Sequence, residues 1–281
     1  NTPLLRANWW FDSTWGRHPT AAIPMKSRPT PPRHAIDISE EDGIRCLHFG
    51  SDWIQGAMRV ARPWSLLLEY TRDMMAGLLL RDTPRWPRRV LLIGLGAGSL
   101  AKFLYRNFPD CRITVVEINP QVEFVARQYF RLPDDPRRLQ VEIACGADYL
   151  ENAKRRFDLI LSDGFGADGR PGMLDTPAFY QACRSHLDDA GLFCVNLLRE
   201  KGFARSVERI GEAFSGQILQ LPECASGNTI VFGRDAPAVE VSFVDLEKRA
   251  QALRQQTRLD LRPLLRRLRQ TAADGTETLT F

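Results

Sequence analysis

From residue 90 the chain alternates short apolar runs with segments whose apolar residues recur every three or four positions. The runs read as strands at 90–94, 112–117, 138–143, 157–162, 190–197, 216–221 and 228–233. VLLIG, ITVVEI and FDLILS are apolar at nearly every position, as strands covered on both faces must be. Helical spacing between most of them predicts an α/β fold with a mostly parallel, doubly wound sheet. The last two runs, QILQLP and NTIVFGR, are separated only by ECASG. A parallel crossover needs about a dozen residues, so these two are expected to pair as an antiparallel hairpin.

Upstream the period shortens. HAIDIS, GIRCLHFG and DWIQGAM are alternating runs broken by Glu-Asp-Gly and Gly-Ser-Asp, the pattern of a small antiparallel meander. SLLLEYTRDMMAGLLL is expected to form one helix capped by Ser65. Before the meander, WWFDSTW and the proline-rich IPMKSRPTPPR predict an irregular arm whose aromatic patch packs on the body. At the other end, VDLEKRAQALRQQTRLDLRPLLRRLRQ predicts a docked, solvated, basic amphipathic helix interrupted near Pro263. The expected division is an arm over 1–33, a β domain over 34–64, a Rossmann-like cofactor-binding domain over 65–234 and a helical tail over 235–281.

Composition narrows the function classes. The chain has 281 residues, is 44% hydrophobic and carries a formal charge of +4, with its basic residues scattered. That is too mild for a nucleic-acid footprint. No apolar run reaches the roughly 18 residues of a membrane span, and the first residues lack the basic start and apolar middle of a signal peptide. A cytoplasmic chain with no membrane partner is expected. The six cysteines include no C-x-x-C pair and the four histidines keep no ligand spacing, so buried reduced thiols and no metal site are expected.

Three features point to one rim. VLLIGLGAGSL places Gly94, Gly96 and Gly98 between a strand and a helix, where positive φ or a close approach to a ligand is needed. A dinucleotide loop wants Gly or Ala where Ser99 stands, so the spacing suits an adenosyl ligand without a pyrophosphate. Glu117 ends the second strand, in position to accept both hydroxyls of a ribose. Asp163 ends the fourth and opens a glycine-rich segment to Gly172 that is expected to act as a lid. Ligands in open α/β sheets bind outside the carboxyl ends of the strands, which puts all three cues on one edge.

A seven-strand sheet ending in an antiparallel hairpin resembles the class I S-adenosylmethionine-dependent transferases. Within that class, residues 36–233 resemble the spermidine synthase (polyamine aminopropyltransferase) family. The likeness rests on VLLIGLGAGSL, VVEIN, FDLILSDG, TPAFYQACRSHLDDAGLF and SGNTIVFG. The resemblance implies a co-substrate, S-adenosylmethionine or its decarboxylated form, lined by Gly94, Gly96, Ala97, Gly98, Glu117, Ile118, Cys145, Gly146 and Ala147. It implies a small-molecule amine acceptor faced by Gln55, Tyr70, Arg72 and Asp163, with Asp163 as general base. It also implies pairing into a homodimer through the meander.

Four motifs depart from the family's pattern. Ala97 stands where its loop has an Asp that holds the aminopropyl ammonium, and Cys145 where an Asp contacts adenine. Thr71, Arg72 and Asp73 replace Tyr-His-Glu, and Gly166 replaces the second Asp of D-x-x-D. Losing a carboxylate at 97 and gaining a guanidinium at 72 favours a co-substrate that keeps its own carboxylate. The expectation is therefore an aminopropyltransferase with altered substrate recognition. The alternatives are an S-adenosylmethionine-dependent methyl- or aminocarboxypropyltransferase and a catalytically idle adenosyl-binding member.

Overall fold

The alternating runs of residues 36–59 form an antiparallel meander of Ile36–Glu41 (β1), Ile44–Phe49 (β2) and Ile54–Arg59 (β3). Asp42 and Gly43 both take positive φ in the first turn, the pair that a two-residue type I′ hairpin favours. The computed structural model describes residues 35–51, 53–81, 83, 85–166, 170–272 and 276–281. The expected arm with its aromatic patch, and the centre of the expected lid, lie outside the described residues.

The helix expected to start at Ser65 does not. Leu68 is the N-cap, in extended conformation, and Glu69–Asp73 (α1) continues through a 3₁₀ turn into Gly77–Leu80 (α2). An extended stretch buries Leu66 while Leu67 and Leu68 line a cavity, which a helix begun at Ser65 would not allow.

The large sheet comprises Arg89–Ile93 (β4), Arg112–Glu117 (β5), Leu139–Ile143 (β6), Phe157–Ser162 (β7), Leu187–Leu198 (β8), Ile218–Gln220 (β9) and Asn228–Arg234 (β10). Its order is β6-β5-β4-β7-β8-β10-β9. Neighbours from β6 to β8 are parallel; β10 runs antiparallel to both β8 and β9, as the short ECASG link required. The helices are Ser99–Asn107 (α3), Pro120–Phe130 (α4), Gly146–Asn152 (α5), Pro177–Ser185 (α6) and Phe203–Ala213 (α7). After β4 the chain builds outward through β5 to β6, then returns to place β7 on the other flank of β4. The opening between β4 and β7 is the switch point where such sheets bind ligands. One boundary moves because of φ: Gly94, expected to end the first strand, takes +95° and leaves it. Another moves at β8, which starts at Leu187 and bulges before Leu192.

The C-terminal segment differs from its expectation. It forms a two-stranded sheet, Glu240–Ser242 (β11) with Thr278–Thr280 (β12), around two helices, Phe243–Thr257 (α8) and Arg262–Thr271 (α9). Arg258, at φ 64°, ends α8, whereas Pro263 lies in the first turn of α9, where its missing N–H costs nothing. The proline begins the second helix; it does not break the first. Leu246, Ala250, Leu253, Leu264, Leu265 and Leu268 are buried in the same cluster as Leu92 and Phe232, so the tail packs as core.

Candidate active site

The glycine-rich turn is built by backbone contacts. Gly94, Gly96 and Gly98 take φ of 95°, 51° and 67°, as their spacing predicted. Gly94 N–H donates to the Val116 carbonyl at 2.9 Å, and Asp163 N–H donates to the Ile93 carbonyl at 2.8 Å. A Cβ on Gly94 would sit 2.5 Å from the Asp163 carbonyl oxygen, so the turn and the residue after β7 are in direct contact. Gly98 is the N-cap of α3.

Glu117 ties the turn to β5. Its Oε2 accepts from Leu95 N–H and its Oε1 from Asn119 N–H, each at 2.9 Å. Burial pushes its carboxyl up, and these N–H bonds oppose the rise. A carboxylate offers about four lone pairs, so both oxygens retain accepting capacity. Ala144 N–H donates to the Glu117 carbonyl at 3.0 Å, which sets Cys145, Gly146 and Ala147, at the start of α5, beside it. Ile118 and Ile143 expose apolar surface on this rim. Leu174 packs close to both Gly146 and Gly164, between this rim and Asp163.

A cavity of about 880 Å³ opens between the meander, α1, the glycine turn and the ends of β7, β8 and β10. It gathers Gln55, Tyr70, Gly94, Gly96, Ala97 and Asp163 from the expected residues. Gly98, Glu117, Ile118, Cys145, Gly146 and Ala147 lie outside its lining, on or beside the flanking rim. Leu95 joins the two groups, since its N–H holds Glu117 and the residue lines the cavity. Arg72 is also outside the lining; its Nε is buried without a hydrogen-bond partner, and the neighbouring Thr71 faces the cavity instead.

Asp163 is enclosed by protein except toward the cavity. Asn196 Nδ2 donates to its Oδ1 at 2.9 Å, and the Tyr70 hydroxyl also hydrogen-bonds to it. Burial pushes the Asp163 carboxyl up to about 7, against the downward pull of those two donors. A carboxyl poised there can hold or release a proton near neutral pH. At the far end Glu69, Arg199, Glu200, Glu223, Ser226 and Asn228 complete the wall. Glu69 pairs with Arg267 of α9 and accepts from Ala225 N–H at 3.1 Å; Arg199 pairs with Glu223 at 3.3 Å. Sequence reasoning missed Asn196, Asn228 and Glu69. A lone Asn inside the apolar run LFCVNLL was a usable signal for the first.

A mixed seven-strand sheet with a glycine turn, a strand-end Glu and a half-buried Asp at its switch point is the class I S-adenosylmethionine-dependent transferase fold. The model of the spermine/spermidine synthase domain matches residues 69–209, and the chain belongs to that family. A polyamine aminopropyltransferase of Neisseria meningitidis is 37% identical over 231 residues, 82% of this chain and 87% of that protein. Human methyltransferase-like protein 13, solved with SAH, is 28% identical with a TM-score of 0.61, over 68% of this chain and 93% of that one. A spermidine synthase solved with the transition-state analogue AdoDATO aligns with a TM-score of 0.62 at 22% identity, over 79% and 76% of the two chains.

Proposed function

We propose that the protein transfers an aminopropyl group from decarboxylated S-adenosylmethionine to a small-molecule amine, with acceptor recognition altered from the family's pattern. The observation that carries this reading is the carboxyl of Asp163. It is enclosed, held by two donors, poised near neutrality, and joined to the glycine turn by backbone contact. In the proposed step the lone pair of a neutral amine attacks the carbon beside the sulfonium. The C–S bond breaks, methylthioadenosine leaves, and Asp163 takes the amine's proton. The sulfonium is already a good leaving group, so the protein's share is alignment and proton acceptance.

Gly94, Gly96, Ala97 and Gly98 form the cradle in this reading, and Glu117 takes the ribose hydroxyls with its remaining lone pairs. Ile118, Cys145, Gly146 and Ala147 flank the base; Gln55 and Tyr70 face the acceptor. The names of the Neisseria relative and of the spermidine synthase structure support the reaction class. A homodimer, a cytoplasmic location and the four-part division of the chain belong to the same reading.

One observation favours a second reading. The cavity wall at Ala97 carries no carboxylate, and the first turn of α3 has no acidic residue, so this end suits a co-substrate that keeps its carboxylate. Methyl or aminocarboxypropyl transfer from S-adenosylmethionine would then use the same base, in line with the methyltransferase relative.

Mixing the protein with decarboxylated S-adenosylmethionine and putrescine tests the first reading. Methylthioadenosine release supports it; release of S-adenosylhomocysteine from S-adenosylmethionine in an amine screen moves the assignment to methyl transfer. Asp163→Asn is expected to abolish turnover while calorimetric affinity for the co-substrate stays within a few-fold. An active variant rules out the base.

A further inference from the structure

A chain of side chains crosses from Asp163 to the β9–β10 turn, and it has a direction. Asn196 Nδ2 donates to Asp163 Oδ1 at 2.9 Å, Asn228 Nδ2 donates to Asn196 Oδ1 at 3.0 Å, and Ser226 Oγ donates to Asn228 Oδ1 at 2.7 Å. The Cys224 thiol lies 3.1 Å from Ser226 Oγ and also approaches Asn228 Oδ1. Asn196 and Asn228 are only 3% and 7% exposed, on adjacent antiparallel strands.

An ionised carboxylate can only accept, so Asn196 must present its NH₂ group to it. Its carbonyl oxygen then faces Asn228, which must present its own NH₂. The oxygen left on Asn228 takes the Ser226 hydroxyl. Every amide in the chain is therefore oriented by the charge at its end. Two apolar side chains would fill this part of the β8–β10 pair without the cost of burying amides, which is tolerated only when each group is satisfied.

We propose that Asn196 and Asn228 are positioning residues: a directed pair of amides that favours the ionised form of Asp163 and fixes its carboxylate toward the cavity. The inference rests on the reading of Asp163 as the base. Among the described residues, the other titratable side chains against Asp163 are neutral as well: Tyr70 from α1, which donates its hydroxyl, and the Cys194 thiol from β8, pushed far up first by burial and then by Asp163. Burial raises the Asp163 carboxyl to about 7 even with these donors in place, so losing one leaves it higher still.

Stability against pH reads this without any assumption about the reaction. The native carboxyl binds its proton more tightly than the unfolded one, at about 7 against the ordinary 3.8. The Asp163 contribution is thus fully present below about 3.8, is lost as pH rises to about 7, and is flat beyond. The difference between wild type and Asp163→Asn isolates it. If that difference shows no break near pH 7, the reading of Asp163 as base fails first.

With the break present, Asn228→Leu is expected to move it up by about one pH unit. The milder Ser226→Ala, at the end of the chain, is expected to move it in the same direction by less, and serves if the Asn228 variant does not fold. A purely structural role would lower stability at every pH and leave the break where it is. A break unmoved by every folded variant overturns the inference while leaving the base standing.

Discussion

Lys102 is 1% exposed, and its Nζ donates to the Phe130 carbonyl at 2.7 Å and to Met58 Sδ at 3.4 Å. Burial, with Arg131 nearby, pushes its ammonium down to about 7 from 10.5. The unfolded chain binds that proton more tightly, so stability from this residue is fully present above about pH 10.5 and is lost as pH falls to about 7. Chemical denaturation of Lys102→Met is expected to lack the rise in stability that wild type shows across this window. Ala97 carries a different lesson. Its identity marks a missing carboxylate, but it is also 2% exposed and packs with Leu47, Met58 and Phe130 of the meander cluster. Ala97→Asp is therefore expected to cost about 2 kcal/mol in denaturant titration, because it buries a charge without a partner. The substitution was legible in the sequence; the packing that opposes its reversal was not.

At the scale of elements, periodicity identified all seven strands of the large sheet and the pairing of the last two. It failed where neighbours outweigh local preference. Ser65 is a good capping residue, yet the chain stays extended because three leucines there serve the core and the cavity. The tail reads as one amphipathic helix broken by proline, whereas an αL residue ends the first helix and the proline starts a second. The glycine turn is the element where local chemistry and tertiary contact agree. Gly94 has φ 95°, and a Cβ would collide with the Asp163 carbonyl. Gly94→Ala is expected to cost about 2 kcal/mol or more and to displace Asp163, read as loss of adenosyl-ligand binding in calorimetry.

Across the whole molecule, one contact ties the C-terminal helix to the site. Arg267 of α9 pairs with both Glu69 and Asp73, one turn apart on α1 and separated from it by 198 and 194 positions in the chain. Asp73 is buried and its carboxyl is pushed up to about 7, so without Arg267 it keeps a proton and loses a hydrogen-bond donor. Arg267→Met is expected to destabilise by about 2 kcal/mol in urea unfolding. Tyr70 sits on the same short helix, so, on the proposed reading that it faces the acceptor, acceptor affinity should fall with it.

The sequence by itself determined the strands, the turn that needs positive φ and the acids at two strand ends, since each follows from a period or a residue type that acts locally. Only the tertiary structure decided that Glu117 holds the turn through Leu95, that two amides stand behind Asp163, and that a residue of the tail neutralises a cavity glutamate. Those outcomes join positions far apart in the chain, and a side chain's partner across such a distance is set by how the layers pack.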